Sequence, residues 1–162
     1  RLPCSVAMVR VVHMGKVHPR RILVPLRSRM SRIEERSCFV ARLASSFGST
    51  VTLFHLSSPL TSFFQGEVHL SPAEREQRLS RDVEEFAECL RKYEVLHEKK
   101  TGYGAVPRTI TVEAAHRRSD LIIMGASERG MLEGVIRRSP IEQVLMETPC
   151  NLIILNPKQG PR

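Results

Sequence analysis

The sequence contains no tryptophan and only two tyrosines in 162 residues. That scarcity removes the aromatic platforms on which single-stranded nucleic acid stacks. The one adjacent aromatic pair, Phe63-Phe64, lies far from the Arg-rich beginning of the chain. Aspartate is almost missing: Asp82 and Asp120 are the two, and no pair of carboxylates is set apart for general acid–base work. No apolar run approaches the ~20 residues a membrane helix requires. The stretch Val6–Met14 is short and broken by Arg10 and His13, and no apolar core precedes a small-residue cleavage site. There is no C-x-x-C among Cys4, Cys38, Cys89 and Cys150. Cys38 and Cys89 fall among core positions of predicted helices, and Cys150 reads as a core residue at a strand start. Free thiols in a reducing compartment are therefore expected. His13 and His18 stand five apart without a cysteine or carboxylate at ligand spacing, which disfavours a metal site. His55, in an apolar strand, reads as a hydrogen-bonded core histidine. Neither a Walker G-K-[ST] nor a G-x-G-x-x-G occurs.

What is present suits one domain of ordinary globular composition, 41% hydrophobic and 26% charged. The net charge is +8 and uneven: residues 1–37 hold nine Arg or Lys against two Glu. A basic lead-in or linker is expected over residues 1–20, the folded domain over 21–157, and a tail over 158–162. The sequence begins at Arg1 rather than Met, as a processed form or a piece of a longer chain would.

Hydrophobic patterning supplies the elements. Arg21-Ile-Leu-Val-Pro-Leu26 is an apolar run of the buried parallel-strand kind. A helix follows with inward positions Ile33, Val40, Leu43, Ala44 and Phe47, stopped by Gly48. Val51–Leu56 is the second strand, and a loop runs from Ser57 to Leu70. Ser71-Pro-Ala-Glu74 is a capping signature opening a long helix with the stripe Leu79, Val83, Phe86, Ala87 and Leu90. Val95–Lys100 is a weak third strand, with Thr101–Gly104 as a turn. Pro107–Arg118 is a helix with Ile110 and Ala114 inward. Asp120–Met124 is the fourth strand and Asn151–Leu155 the fifth. Between those two, Ser139-Pro-Ile-Glu142 opens a helix carrying Val144 and Leu145, ended by Thr148-Pro149.

This alternation predicts an α/β fold with a doubly wound, five-stranded parallel sheet. Placing the first strand centrally gives the order 3-2-1-4-5, so a ligand would lie outside the carboxyl ends of strands 1 and 4. Leu26, Arg27 and Ser28 then face the segment from Gly125 to Ser139. A glycine-containing strand-to-helix loop offers backbone N–H groups, and the following helix adds about half a positive charge.

Arg21-Ile-Leu-Val-Pro25, Val51-Thr-Leu-Phe-His-Leu56, Asp120-Leu-Ile-Ile-Met-Gly125 and Pro149-Cys-Asn-Leu-Ile-Ile154 resemble the strand signatures of the universal stress protein family, in the same order over residues 20–157. The resemblance implies the adenine-nucleotide alpha-hydrolase-like fold. Family members that bind ATP carry G-2x-G-9x-G-[S/T] after the fourth strand. On this chain the first glycine is Gly125 and the final hydroxyl Ser139, while Glu128 and Arg138 stand at the other two glycines. An Asp that commonly ends the first strand is Arg27 here. Glu128 neither relaxes the backbone as glycine does nor welcomes a phosphate. Arg27, Arg129, Arg137 and Arg138 bring positive charge to the same place.

The candidate nucleotide or anion-binding residues are accordingly Pro25, Leu26, Arg27, Leu56, Met124, Gly125, Ser127, Arg129, Gly130, Arg138, Ser139 and Pro140. The ligand implied by the resemblance is ATP or another adenine nucleotide. The resemblance also implies homodimers through the fifth strand, making Asn151, Leu152, Ile153, Ile154 and Leu155 the dimer candidates. The alternative is an edge strand shielded by the N-terminal segment. Function is expected to be regulatory binding rather than catalysis, in the cytoplasm. Similar domains form cytoplasmic tails of membrane transporters (amino-acid permeases and cation/proton antiporters), and the basic lead-in suits the inner membrane face. A dimerisation module without nucleotide, a weak ATP hydrolase and a basic nucleic-acid binder stand as alternatives.

Overall fold

Strand Arg21–Leu26 is apolar on both sides because helices cover both faces of the sheet it occupies. Ile22, Val24 and Leu26 point into one core and Leu23 into the other, as the two-residue period of a strand dictates. The computed structural model describes residues 4–15, 18–26, 30, 32–57, 72–126 and 140–157. In chain order the strands are β1 (Val6–Arg10), β2 (Arg21–Leu26), β3 (Thr50–Ser57), β4 (His97–Tyr103), β5 (Leu121–Gly125) and β6 (Asn151–Asn156). The helices are α1 (Ile33–Phe47), α2 (Pro72–Lys92), α3 (Val106–His116) and α4 (Pro140–Glu147).

The sheet order is β1-β6-β5-β2-β3-β4. The five predicted strands take the expected order, with the first of them, β2, central. The strand count needs correction. Val6–Arg10, inside the expected lead-in, forms a sixth strand antiparallel to β6, with Met8 opposite Ile154. Its apolar composition was legible, but five residues broken off by Arg10 do not by themselves name a partner. Element ends shift by a residue or two in several places, and two local expectations change. β4 runs on to Tyr103 where a turn was expected, because Gly102 and Tyr103 still pair with Leu56 and Ser57 of β3, and the Phe54 ring fills the space a side chain at Gly102 would need. Phe47 is 37% exposed and rests on His18 with ring centroids 5.5 Å apart, so it lies outside the inward stripe of α1.

One core lies between the sheet and α1 with α2, where Val40, Ala41 and Ala44 meet Phe86, Ala87 and Leu90. The other lies under α3 and α4, where Ile110, Ala114 and Val144 cover Leu23, Phe54, Ile122 and Leu152. Each fully buried Leu, Ile, Val or Phe contributes roughly 1.5–3 kcal/mol by leaving water. Gly48 ends α1 in the left-handed region at φ 60°, as its position past the last turn predicts. The capping residues Ser71 and Ser139 lie outside the described residues, as does the Phe63-Phe64 pair.

Candidate functional site

A crevice opens at the carboxyl ends of β2 and β5, where the strand order reverses, and its cause is local. The two strands are in register only at Ile22–Leu121 and Leu23–Ile122. At their amino ends they are clamped. Arg21 O accepts from Asp120 N at 2.9 Å, while Asp120 Oδ2 accepts from Arg20 N and Arg21 N, both at 3.0 Å. Arg21 thus turns both its backbone groups toward β5. With the strand's period of two, Leu23 and Pro25 turn the same way. Pro25 has no N–H to give, so the ladder ends there and the strand tips part.

The resulting cavity, about 70 Å³, is lined by Val24, Pro25, Leu26, Met124, Gly125 and Leu155, and from the helices by Arg36 and Ile110 among others. Of the expected site residues, Pro25, Leu26, Met124 and Gly125 therefore come together. Leu56 lies at the carboxyl end of β3, in register with Gly102. Pro140 is the first residue of α4. Arg27, Ser127, Arg129, Gly130, Arg138 and Ser139 lie outside the described residues.

Arg36 was not anticipated. It sits in the first turns of α1, whose N-cap Arg32 has φ 54° and makes no side-chain capping bond. Arg36 N donates to Arg32 O at 3.3 Å. The usable signal was spacing: Arg36 stands four residues before Val40, a core position, so it shares the inward side of the helix. Among the described lining residues it is the one charged group.

The dimer candidates lie on β6, with Leu152, Ile154 and Leu155 buried. The expectation that β6 is a sheet edge is overturned, because β1 pairs along its length. This is the shielding by the N-terminal segment that the sequence left as the alternative. Asn151 fastens that segment beyond the strand: its Oδ1 accepts from Val12 N at 2.8 Å and His13 N at 3.0 Å. His13 Nε2 is 3.1 Å from Pro149 O. The described cysteines form no disulfide among the described residues, with Cys150 buried and Cys38 and Cys89 half-buried. Among the described residues no group of three His, Cys, Asp or Glu is placed to hold a metal ion.

Away from the crevice, α3 is tied to β4 by ion pairs. Glu113 Oε1 receives Lys100 Nζ at 2.7 Å and Arg117 Nε at 2.5 Å, and Arg117 also pairs with Glu98. Burial pushes the Glu113 carboxyl up, but the bonds from Lys100 and Arg117 together outweigh it and hold it below the ordinary value of 4.5.

Solved structures similar to this fold include three of the same family name. A universal stress protein from Archaeoglobus fulgidus is 18% identical with a TM-score of 0.61, over 84% of this chain and 93% of that one. A universal stress protein in complex with cAMP is 12% identical with a TM-score of 0.60, over 85% and 96%. A universal stress protein from Archaeoglobus fulgidus in complex with dAMP is 19% identical with a TM-score of 0.59, over 84% and 97%. At such identities the likeness is one of fold. No curated protein sequence matches the chain. The model of the universal stress protein family matches residues 19–156. With the strand signatures, the sheet order and this match agreeing, the chain belongs to the universal stress protein family.

Proposed function

We propose that this domain is a regulatory module that binds an adenine nucleotide in the crevice between β2 and β5. The observation that carries the reading is the parting of those strands at Pro25, which leaves an apolar slot ending on Gly125 with Arg36 beside it. Apolar walls suit a base, and a few convergent polar groups suit its anionic part. Structural relatives in complex with cAMP and dAMP support the ligand class. Arg27, Ser127, Arg129, Gly130, Arg138 and Ser139 are the further candidates that the sequence offers for this site, Ser139 alone of them standing at a position of the family's motif that keeps its residue type. In this reading the role is binding without turnover. Weak ATP hydrolysis is the alternative and is checked by phosphate release above the rate in buffer.

A second reading concerns self-association. The open edge of the sheet is β1, where Met8 and Val9 are 58% and 57% exposed. The opposite edge, β4, is guarded by Lys99 and Lys100, each paired to a glutamate. A homodimer would join through β1, with β6 as the second strand of each half. The basic lead-in supports a cytoplasmic setting near an anionic membrane face, as in a transporter tail. Among the described residues no helix is long and apolar enough to cross a membrane.

The nucleotide reading is tested by thermal shift and calorimetry with AMP, cAMP and ATP. A ligand at 100-fold over its Kd stabilises by about 2.7 kcal/mol. At about 2–4 °C per kcal/mol this is a shift of roughly 5–10 °C. No shift and no heat with any of the three at millimolar concentration would end the reading.

A further inference from the structure

The end of the sheet opposite the crevice gathers cations and uncovered apolar side chains. Strands β2 to β6 run parallel, so each helix brings the chain back to this end, where helix ends meet strand starts. Arg20 and Arg21 open β2, joined through Arg20 O to Thr50 N of β3 at 2.8 Å and through Asp120 to the start of β5. Arg118 stands two residues before that aspartate, with φ 51°, and Lys92 ends α2. Arg10 ends β1 opposite Leu152, beside the start of β6. Among the described residues none of these five cations is in an ion pair, whereas Arg91 and Arg117 are held by glutamates. The exposed carboxylates described at this end are Glu94 and Glu147. A cation at a helix end serves the macrodipole, which accounts for Lys92 and Arg118 but not for Arg10, Arg20 and Arg21. The apolar side chains are as unusual. Met14 is 90% exposed, Leu96 75% and Met146 65%. Leu96 O accepts from Val51 N just before β4, Met146 is in the last turn of α4, and Met14 follows the residues fastened to Asn151. Scattered singly, such residues are ordinary; gathered among unpaired cations they mark an interaction surface.

We propose that this amino end of the sheet docks on an anionic lipid bilayer. The proposal rests on the membrane setting given above, which it specifies, and is independent of the nucleotide reading. A nucleic acid would match the cations but leave Met14, Leu96 and Met146 in water. A bilayer takes both, cations among the headgroups and apolar tips at the acyl boundary. Long arginine and lysine stems let the two groups reach their different depths from one surface. The residues are spread along a row of six strands, about 24 Å across, which suits a plane and not a pocket ligand. Docked in this way, the domain turns its crevice away from the bilayer and open to water.

The test is co-sedimentation of the whole chain with vesicles of phosphatidylcholine, alone or with about 30% phosphatidylserine, at low salt and at about 0.5 M. The wild type should bind the anionic vesicles and not the neutral ones, and the higher salt should release most of it. Arg20→Gln/Arg21→Gln/Arg118→Gln should weaken binding on the order of 100-fold, about fivefold for each cation. Met14→Ser/Leu96→Ser should weaken it on the order of 10-fold. Arg108→Gln, on an exposed position near the start of α3 at the other end of the sheet, should stay within about twofold of the wild type. The altered side chains are exposed, so Tm should hold; should Arg21→Gln lower it, Arg20→Gln/Arg118→Gln decides with a loss of about 25-fold. A wild type that stays unbound on anionic vesicles overturns the surface, while a domain tethered as a transporter tail would still stand. An equal loss in Arg108→Gln overturns it by showing that net charge alone attracts the chain. Unchanged vesicle binding by Met14→Ser/Leu96→Ser overturns it as well, and a DNA duplex bound more tightly than the vesicles would then assign the cations to nucleic acid.

Discussion

Replacing Asp120 by alanine should destabilise the domain more than any other single polar change in the sheet. The side chain is 9% exposed, and its Oδ2 accepts the N–H groups of both Arg20 and Arg21 at 3.0 Å. A hydrogen bond to a charged acceptor contributes about 1.5–3 kcal/mol, and two on one oxygen do not add fully. The clamp also shuts the closed end of the crevice, where β2 and β5 are in register for only two pairs. Alanine leaves two partly buried donors to seek water, so the expected loss is about 2–4 kcal/mol. For a chain of this size that corresponds to a fall in Tm of roughly 5–15 °C. Asparagine keeps a carbonyl oxygen in place without the charge and should lose about half as much. Urea unfolding at constant m measures both. If Asp120→Ala stays within about 0.5 kcal/mol of the wild type, water replaces the carboxylate freely and the clamp is not a stabilising device.

Glu113 gives a pH dependence of defined sign. Its carboxyl is held below 4.5 in the folded state, so its contribution is present above that value and is lost as pH falls through the folded value. Glu113→Gln should cost about 1–2 kcal/mol near neutral pH and progressively less below pH ~4.5, read from urea midpoints against pH. A gap that widens toward acid would contradict the assignment. The edge reading predicts that Met8→Lys or Val9→Lys shifts a dimer to monomer in sedimentation velocity without lowering Tm. A wild type that sediments as a monomer at high concentration removes that reading.

Legibility differed by kind of information. Buried parallel strands announce themselves, since two covered faces demand consecutive apolar residues, and Ile22–Val24 and Leu121–Met124 lie in the cores as their composition dictates. Gly48 named the end of α1 because few residues other than glycine readily adopt φ 60°. Gly102 misled: a glycine beside Tyr103 suggests a turn, whereas here it continues the pairing with β3 and its missing side chain makes room for the ring of Phe54. Arg36 was hidden for a related reason. An arginine in a first helical turn suggests a solvated face, and its seat over Gly125 is a contact between residues 89 positions apart.

The sequence by itself determined the class of fold, the order of its parallel strands and the end of the sheet at which a crevice forms. Those follow from periodicity, helix signals and handed connections, all of which are local or nearly so. The tertiary structure decided what lies beside what. It set Val6–Arg10 along β6 and so moved the open edge of the sheet, and it brought Arg36 to the floor of the crevice. Pro25 belongs to both. Its missing donor is written in the sequence, but that the gap faces β5 depends on the pairing of Arg21 with Asp120.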